Sequence, residues 1–192
     1  RMYFEAAYQA QDPDVSPRAA ALLGSLYEDG HGVEQSNETA LEYYQIAYDQ
    51  GTPHGAYRLG RAYLRGTGVD QNYELALEYL KKAADEMHVA ATTELAKMYY
   101  HGIGVQFDYT KAVMLFNTAA VHDDAEAKFY FARMNHYGLG TPERCTTALS
   151  WYQSVAVKGE WVYEFDTALN EYLEENYDTA LLIYEKLAAR GF

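Results

Sequence analysis

The chain has 192 residues and a mass of 21.8 kDa, enough for one or two compact units. Its 15 Lys and Arg against 28 Asp and Glu give a formal net charge of −13, which argues against tracking a nucleic-acid backbone or docking on an anionic lipid surface. Hydrophobic residues at 49% can fill a core, no apolar run reaches the roughly 20 residues of a membrane-spanning helix, and the single cysteine, Cys145, excludes an internal disulfide framework or a multi-cysteine zinc site.

Arg1-Met2-Tyr3-Phe4 is not a leader and reads as an internal cut of a longer protein. Tyr3-Phe4-Glu5-Ala6-Ala7 matches Tyr43-Tyr44-Gln45-Ile46-Ala47, so residues 1–12 are expected to end a preceding repeat. An insertion around Pro13-Asp14-Val15-Ser16-Pro17 follows. From there the chain repeats with a step of 36: Gly30-His31-Gly32-Val33, Gly66-Thr67-Gly68-Val69, Gly102-Ile103-Gly104-Val105 and Gly138-Leu139-Gly140-Thr141. The columns Leu23/Leu59/Leu95/Phe131, Gly24/Gly60/Ala96/Ala132, Ala40/Ala76/Ala112/Ala148 and Tyr44/Leu80/Phe116/Tyr152 keep that step. Tyr27, Tyr63 and Tyr99 form another, broken by Asn135. The repeats are expected at 16–51, 52–87, 88–123, 124–159 and, shortened, 160–192.

Each repeat predicts two helices. Leu22, Leu23, Leu26 and Tyr27 share one helical face, and the first glycine of the Gly-x-Gly loop ends that helix in a left-handed turn. The second helix is expected to open near Asn37, Asn72 or Asp108, which can cap free backbone N–H groups. Small residues such as Ala40, Ala76 and Ala112 facing Gly24, Gly60 and Ala96 would let the two axes approach closely. In the last repeat four residues are missing: Ala180 and Tyr184 follow Ala148 and Tyr152 by only 32, and Glu174-Glu175-Asn176 must make the turn.

No cluster of reactive residues points to catalysis. The Gly-x-Gly loops lack the preceding strand and third glycine of a dinucleotide site, and their recurrence marks them as structural. The six histidines, at 31, 54, 88, 101, 122 and 136, include no His-x-x-x-His pair and read as solvated or capping. Glu171, Glu174, Glu175 and Asp178 read as a solvated acidic rim, and Cys145 as a packed or partly buried thiol. Tyr44, Tyr63, Tyr99 and Tyr152 sit in repeat columns and are expected to pack between helices. Tyr57, Tyr100, Tyr130, Tyr163 and Tyr172 do not, and are candidates for contact with a partner.

These columns resemble the Sel-1-like repeat family, whose units read A-x-x-x-L-G-x-x-Y-x-x-G-x-G-V. Ala56-Tyr57-Arg58-Leu59-Gly60-Arg61-Ala62-Tyr63 and Gly66-Thr67-Gly68-Val69 carry the likeness, which extends over essentially the whole chain. The resemblance implies an all-α fold, an α/α superhelical solenoid of about five tetratricopeptide-related helical pairs. A narrower likeness lies in the last repeat: Lys158-Gly159-Glu160-Trp161, Tyr172, Asn176-Tyr177-Asp178-Thr179-Ala180, Tyr184 and Ala188-Ala189-Arg190-Gly191-Phe192. It is similar to the lumenal adaptors of Hrd-type ubiquitin ligases, with Lys158, Val162, Glu175 and Phe192 departing from their pattern.

That branch implies a non-catalytic scaffold of the endoplasmic-reticulum lumen, without a cofactor or metal, in the degradation of misfolded proteins. Its implied partners are a membrane ubiquitin ligase, lectins and misfolded clients, with nucleic acid and direct membrane insertion excluded. Asn37-Glu38-Thr39 is a glycosylation sequon in an expected exposed loop, which fits such a compartment. The apolar residues Trp161, Phe165, Leu169, Tyr172, Tyr177, Leu181, Leu182, Tyr184 and Leu187 have no following repeat to cover them in this sequence. They are the expected self-association surface of a homodimer. The other reading is a generic Sel-1-like scaffold outside this pathway.

Overall fold

The 36-residue step of the sequence is the step of the helices. The structure, a computed structural model, describes residues 16–156 and 162–174, with positions 176, 179, 180, 183 and 187. The helices are α1 (Ser16–Asp29), α2 (Asn37–Asp49), α3 (Pro53–Arg65), α4 (Tyr73–Asp85), α5 (Val89–His101), α6 (Tyr109–Val121), α7 (Ala125–Tyr137), α8 (Cys145–Ala156) and α9 (Val162–Leu173). The six from α2 to α7 are each 13 residues long. Among the described residues there is no strand, and the all-α expectation holds. The helix expected within residues 1–12 lies outside the described residues.

Two turn designs alternate. At the end of the first helix of a repeat, Gly66, Gly102 and Gly138 take left-handed φ values of 70°, 68° and 63°. The second glycine is left-handed too, for a further reason. A methyl group on Gly68, Gly104 or Gly140 would come within 2.8, 2.3 and 2.3 Å of Asn37, Tyr73 and Tyr109. Those three open the second helix of the preceding repeat and themselves recur every 36 residues. Gly-x-Gly therefore turns the chain with its first glycine and docks it on the previous hairpin with its second.

Between repeats, the helix ends on a left-handed residue at Gly51, Met87 and Asp123 (φ 82°, 62° and 69°). The next residue, Thr52, His88 or Asp124, donates its N–H back to Ala47, Ala83 or Ala119. This pairing of bonds is the Schellman arrangement. The same residue then opens the following helix: Nδ1 of His88 accepts the Ala91 N–H and Asp124 accepts that of Ala127. At the second helices the caps are Asn72 and Asp108 as expected, but Ser36 rather than Asn37. Ser36 Oγ accepts the Thr39 N–H at 3.2 Å, and Asn37 becomes the first helical residue.

The chain forms two compact units, residues 1–107 and 108–192. In the first, α1 packs on α2, α2 on α3, α3 on α4 and α4 on α5. Ala40, Tyr44 and Leu59 make one core cluster, and Ala56, Leu80, Ala83, Ala91 and Met98 another. Gly24 faces the Tyr44 ring and Gly60 faces Leu80, the close approach expected of those columns. Tyr27 stacks on Tyr43 with centroids 5.6 Å apart, and Tyr63 on Tyr79 at 5.7 Å.

In the second unit α6 packs on α7, α7 on α8 and α8 on α9. Ala132, Ala148 and Tyr152 form one cluster with Ala168, Ala180 and Leu187 of the shortened repeat. Tyr130 stacks on Phe116 at 4.8 Å, so this tyrosine is packed within the chain. Where the Tyr27 column breaks, Asn135 is buried and donates through Nδ2 to the Phe131 carbonyl. Lys128 is also buried, its ammonium shared between Asp123 and Ser154 Oγ.

Met87 is 65% exposed and holds a left-handed backbone where its counterpart Gly51 has no side chain. Replacing it with glycine removes a strain of about 1–2 kcal/mol, offset in part by the greater freedom of unfolded glycine. Met87→Gly should raise the melting temperature. Gly140→Ala meets the Tyr109 backbone as well as the left-handed penalty, and should lower it by more than Gly32→Ala, where no atom of the described residues lies within 4 Å. Equal losses for the two alanine variants would refute the docking role of the second glycine.

Candidate interaction surface

The first helices of the first unit, α1, α3 and α5, are joined side by side through polar side chains. Tyr44, buried on α2, donates its hydroxyl to Glu28 of α1. Burial, and then this bond to a carboxylate, push the Tyr44 phenol well above its usual pKa. The same Glu28 oxygen receives Arg58 Nη1 of α3 at 3.0 Å, and the guanidinium lies 5.7 Å from the Tyr44 ring centre. Arg58 Nε approaches His54 Nε2 at 3.3 Å, and His54 Nδ1 lies 3.3 Å from His88 Nε2. Tyr57 stacks on His88 at 4.5 Å. A polar chain thus runs from α1 across α3 to the start of α5.

Neutral imidazoles can complete only two of the three contacts made by this histidine pair. If His88 Nδ1 accepts the Ala91 N–H, its proton is on Nε2; if His54 Nε2 accepts from Arg58, its proton is on Nδ1. The two rings then face each other donor to donor. Burial, followed by the charges of Arg58 and His88, holds His54 at about 4, and burial lowers His88 too. The neutral forms are the native ones, and the pair sits one repeat apart at helix starts, which a search for His-x-x-x-His could not find.

Alongside this chain runs a groove lined by Glu28, Asn37, Leu41, Arg58, Arg61 and Arg65, among others. The three arginines follow one another at three and four residues, one face of α3, and no carboxylate lies on that helix. Arg65 and Lys97 both reach Glu94, at 3.7 and 3.1 Å. Sequence reasoning missed this row. The signal was available: in a chain of charge −13, three arginines fall within one 13-residue helix.

The other expected sites are placed as follows. Leu187 is 5% exposed inside the second unit's own cluster, against Ala132 and Tyr152, so it is a core residue and not a surface one. Tyr172 packs beside that cluster, and Leu169 is half-buried on α9. Phe165 lies on α9. Trp161, Tyr177, Leu181, Leu182 and Tyr184 lie outside the described residues. The sequon does not lie in an exposed loop: Asn37 to Thr39 form the first turn of α2, capped by Ser36, and Asn37 is half-buried against Gly68. The Cys145 thiol is half-buried and 3.3 Å from a Glu143 oxygen. Glu174 is exposed in the turn expected there, and Glu171 is half-buried. Among the described residues no group of three or more His, Cys, Asp or Glu is arranged to hold a metal ion.

A repeat of paired helices with this step and loop defines a class of helical interaction scaffolds. The Sel1 repeat family model matches residues 17–52, 53–86, 89–124 and 125–156, and the chain belongs to that family. Among solved structures, a Sel1 repeat protein from Oxalobacter formigenes is 28% identical with a TM-score of 0.75, covering 91% of this chain and 47% of its own. A protective antigen present in uropathogenic Escherichia coli strains, displaying an SLR fold, is 26% identical with the same score, covering 91% and 38%. An immunity protein from Pseudomonas aeruginosa, 24% identical with a TM-score of 0.54 over 82% of this chain and 58% of its own, shares the fold. The chain spans less than half the length of the first two. No curated protein matches it.

The histidine pair gives a pH dependence. Because His54 binds its proton more weakly folded than unfolded, its contribution to stability is present above about 6.5 and is lost as pH falls to about 4. The melting temperature of His54→Gln should therefore fall less steeply than that of the native chain across this window. Parallel curves would show that His54 does not titrate as its surroundings dictate.

Proposed function

We propose that this chain is a non-catalytic protein-interaction scaffold, and more finely a lumenal adaptor that brings misfolded proteins to a membrane-embedded Hrd-type ubiquitin ligase. The observation that carries the scaffold reading is the row of first helices described above. There Tyr57, Arg58, Arg61 and Arg65 are presented on a rigid repeat frame, as large aromatic and arginine side chains suited to protein recognition. Sel1 repeats serve as interaction scaffolds, and this one supplies the same frame.

The adaptor reading rests on the segment from Lys158 to Phe192 and on the Asn37 sequon, which suits a lumenal protein. Relatives of known structure named above come from bacteria, which keeps a generic Sel1 scaffold as the second reading. Affinity purification of the full protein from its own cells separates the two. Recovery of a membrane ubiquitin ligase with unfolded glycoproteins is expected, and other partners without a ligase would replace the adaptor reading by the generic one.

Self-association through the last helical pair belongs to the same proposal. Light scattering across a hundredfold range of concentration should give twice the mass of 21.8 kDa. Leu181→Asp should return it to the monomer with helix content intact. Leu187→Asp should instead unfold the second unit, since it puts a carboxylate into an apolar cluster and also leaves a cavity, for which truncation alone costs about 2–5 kcal/mol. A native chain that stays monomeric removes the interface from the proposal.

A further inference from the structure

We propose that the arginine groove of the first unit binds acidic side chains of an extended partner segment, with Arg61 as its central receiver. The three arginines are not equivalent. Arg58 is already engaged by Glu28, and Arg65 shares Glu94 with Lys97. Among the described residues no carboxylate lies within ion-pair distance of Arg61: its Nη1 meets the Tyr57 hydroxyl at 3.5 Å, with the guanidinium 5.6 Å from that ring centre. Its Nε is buried and has no hydrogen-bond acceptor, and it is the one such side-chain atom among the described residues. An N–H withdrawn from water and left without an acceptor is costly, and the cost is recovered when a ligand supplies one.

The shape of the site selects the ligand. A guanidinium offers two parallel N–H groups along its Nε edge, spaced to meet both oxygens of one carboxylate. Arg61 lines the groove with Leu41, Ala62 and Thr67, where its guanidinium would turn this edge to a bound carboxylate. Arg65, 54% exposed at the side chain, stands one turn further along α3 and can take a second carboxylate. Glu28 on Arg58 shows the same chemistry within the chain. An extended acidic segment lying along α3 would place successive carboxylates on Arg61 and Arg65. The charge agrees: on a protein of −13 this row is a local cationic strip, so an acidic partner is drawn here and repelled elsewhere.

The proposal rests on the scaffold reading but is tested separately. A fluorescein-labelled hexaglutamate peptide, amidated at its C-terminus, is titrated with the 192-residue protein at low salt and followed by anisotropy. Saturable binding is expected, weakened about tenfold by Arg61→Gln and by Arg65→Gln. Lys81→Gln, an equal loss of charge at an exposed position on α4, should leave it within about twofold. Arg61→Lys, which keeps the charge but not the paired N–H groups, should lose nearly as much as Arg61→Gln. Thermal melts check that each variant folds, and Arg65→Gln, being at an exposed side chain, keeps the test valid if Arg61→Gln does not fold.

The proposal is overturned by no saturable binding, by equal weakening with Lys81→Gln, or by displacement by inorganic phosphate at concentrations where glutamate has no effect. The last would make the groove a small-anion site. Binding only of an uncharged hexapeptide with a free C-terminus would likewise replace acidic side chains by a chain end. None of these results bears on the scaffold reading, which stands or falls on the partners recovered from cells.

Discussion

The structure depends on one close approach, that of the second loop glycine to the helix start of the preceding repeat. At Gly68 on Asn37, Gly104 on Tyr73 and Gly140 on Tyr109 there is no space for even a methyl group. That contact fixes how far each hairpin advances on the one before it. Once the advance is fixed, the Tyr44/Leu80/Phe116/Tyr152 column falls in the core, where all four side chains are buried. The left-handed residues at Gly51, Met87 and Asp123 then reverse the chain so that the next first helix begins beside the last one. Packing follows from turn geometry here, rather than the turns following from packing.

The functional consequence in the first unit is that α1, α3 and α5 are held side by side. This brings side chains from adjacent repeats within hydrogen-bonding reach, such as Glu28 with Arg58 and His54 with His88. An interaction surface built this way is preorganised, so a partner need not order it on binding. It also carries internal tension. The histidine pair cannot satisfy all its contacts, and Arg61 keeps a buried N–H without an acceptor. Natural folds concentrate such departures where they bind other molecules.

The helices were legible in the sequence because every column recurs at one step, and repetition averages away local noise. The glycines and the caps at Asn72 and Asp108 were found by the same means. Ser36 was missed because Asn37 beside it is an equally good cap by residue type, and only backbone geometry separates the two. The candidate surface was much less legible. Two of its arginines break their columns: Arg58 corresponds to Leu22, Glu94 and Tyr130, and Arg65 to Asp29, His101 and Tyr137. Arg61 shares a basic column with Lys97 and Arg133, but a search for core positions passes over a column of charges. Leu187 was misplaced for a related reason, since an apolar residue near the end of a sequence looks uncovered until it is seen in one cluster with Ala132, Ala148 and Tyr152.

Thr52, His88 and Asp124 each close one helix and open the next, so the joins between hairpins are made by shared residues. The glycine contacts, too, link each position to one 31 residues later, at 37 and 68, 73 and 104, and 109 and 140. Each of these joins is thus a relation between neighbours. In genetic terms, an unequal exchange of 36 codons can begin at any codon of a repeat and still restore each relation across its seam. The protein can be lengthened or shortened by one hairpin in a single event, with no new turn to be invented.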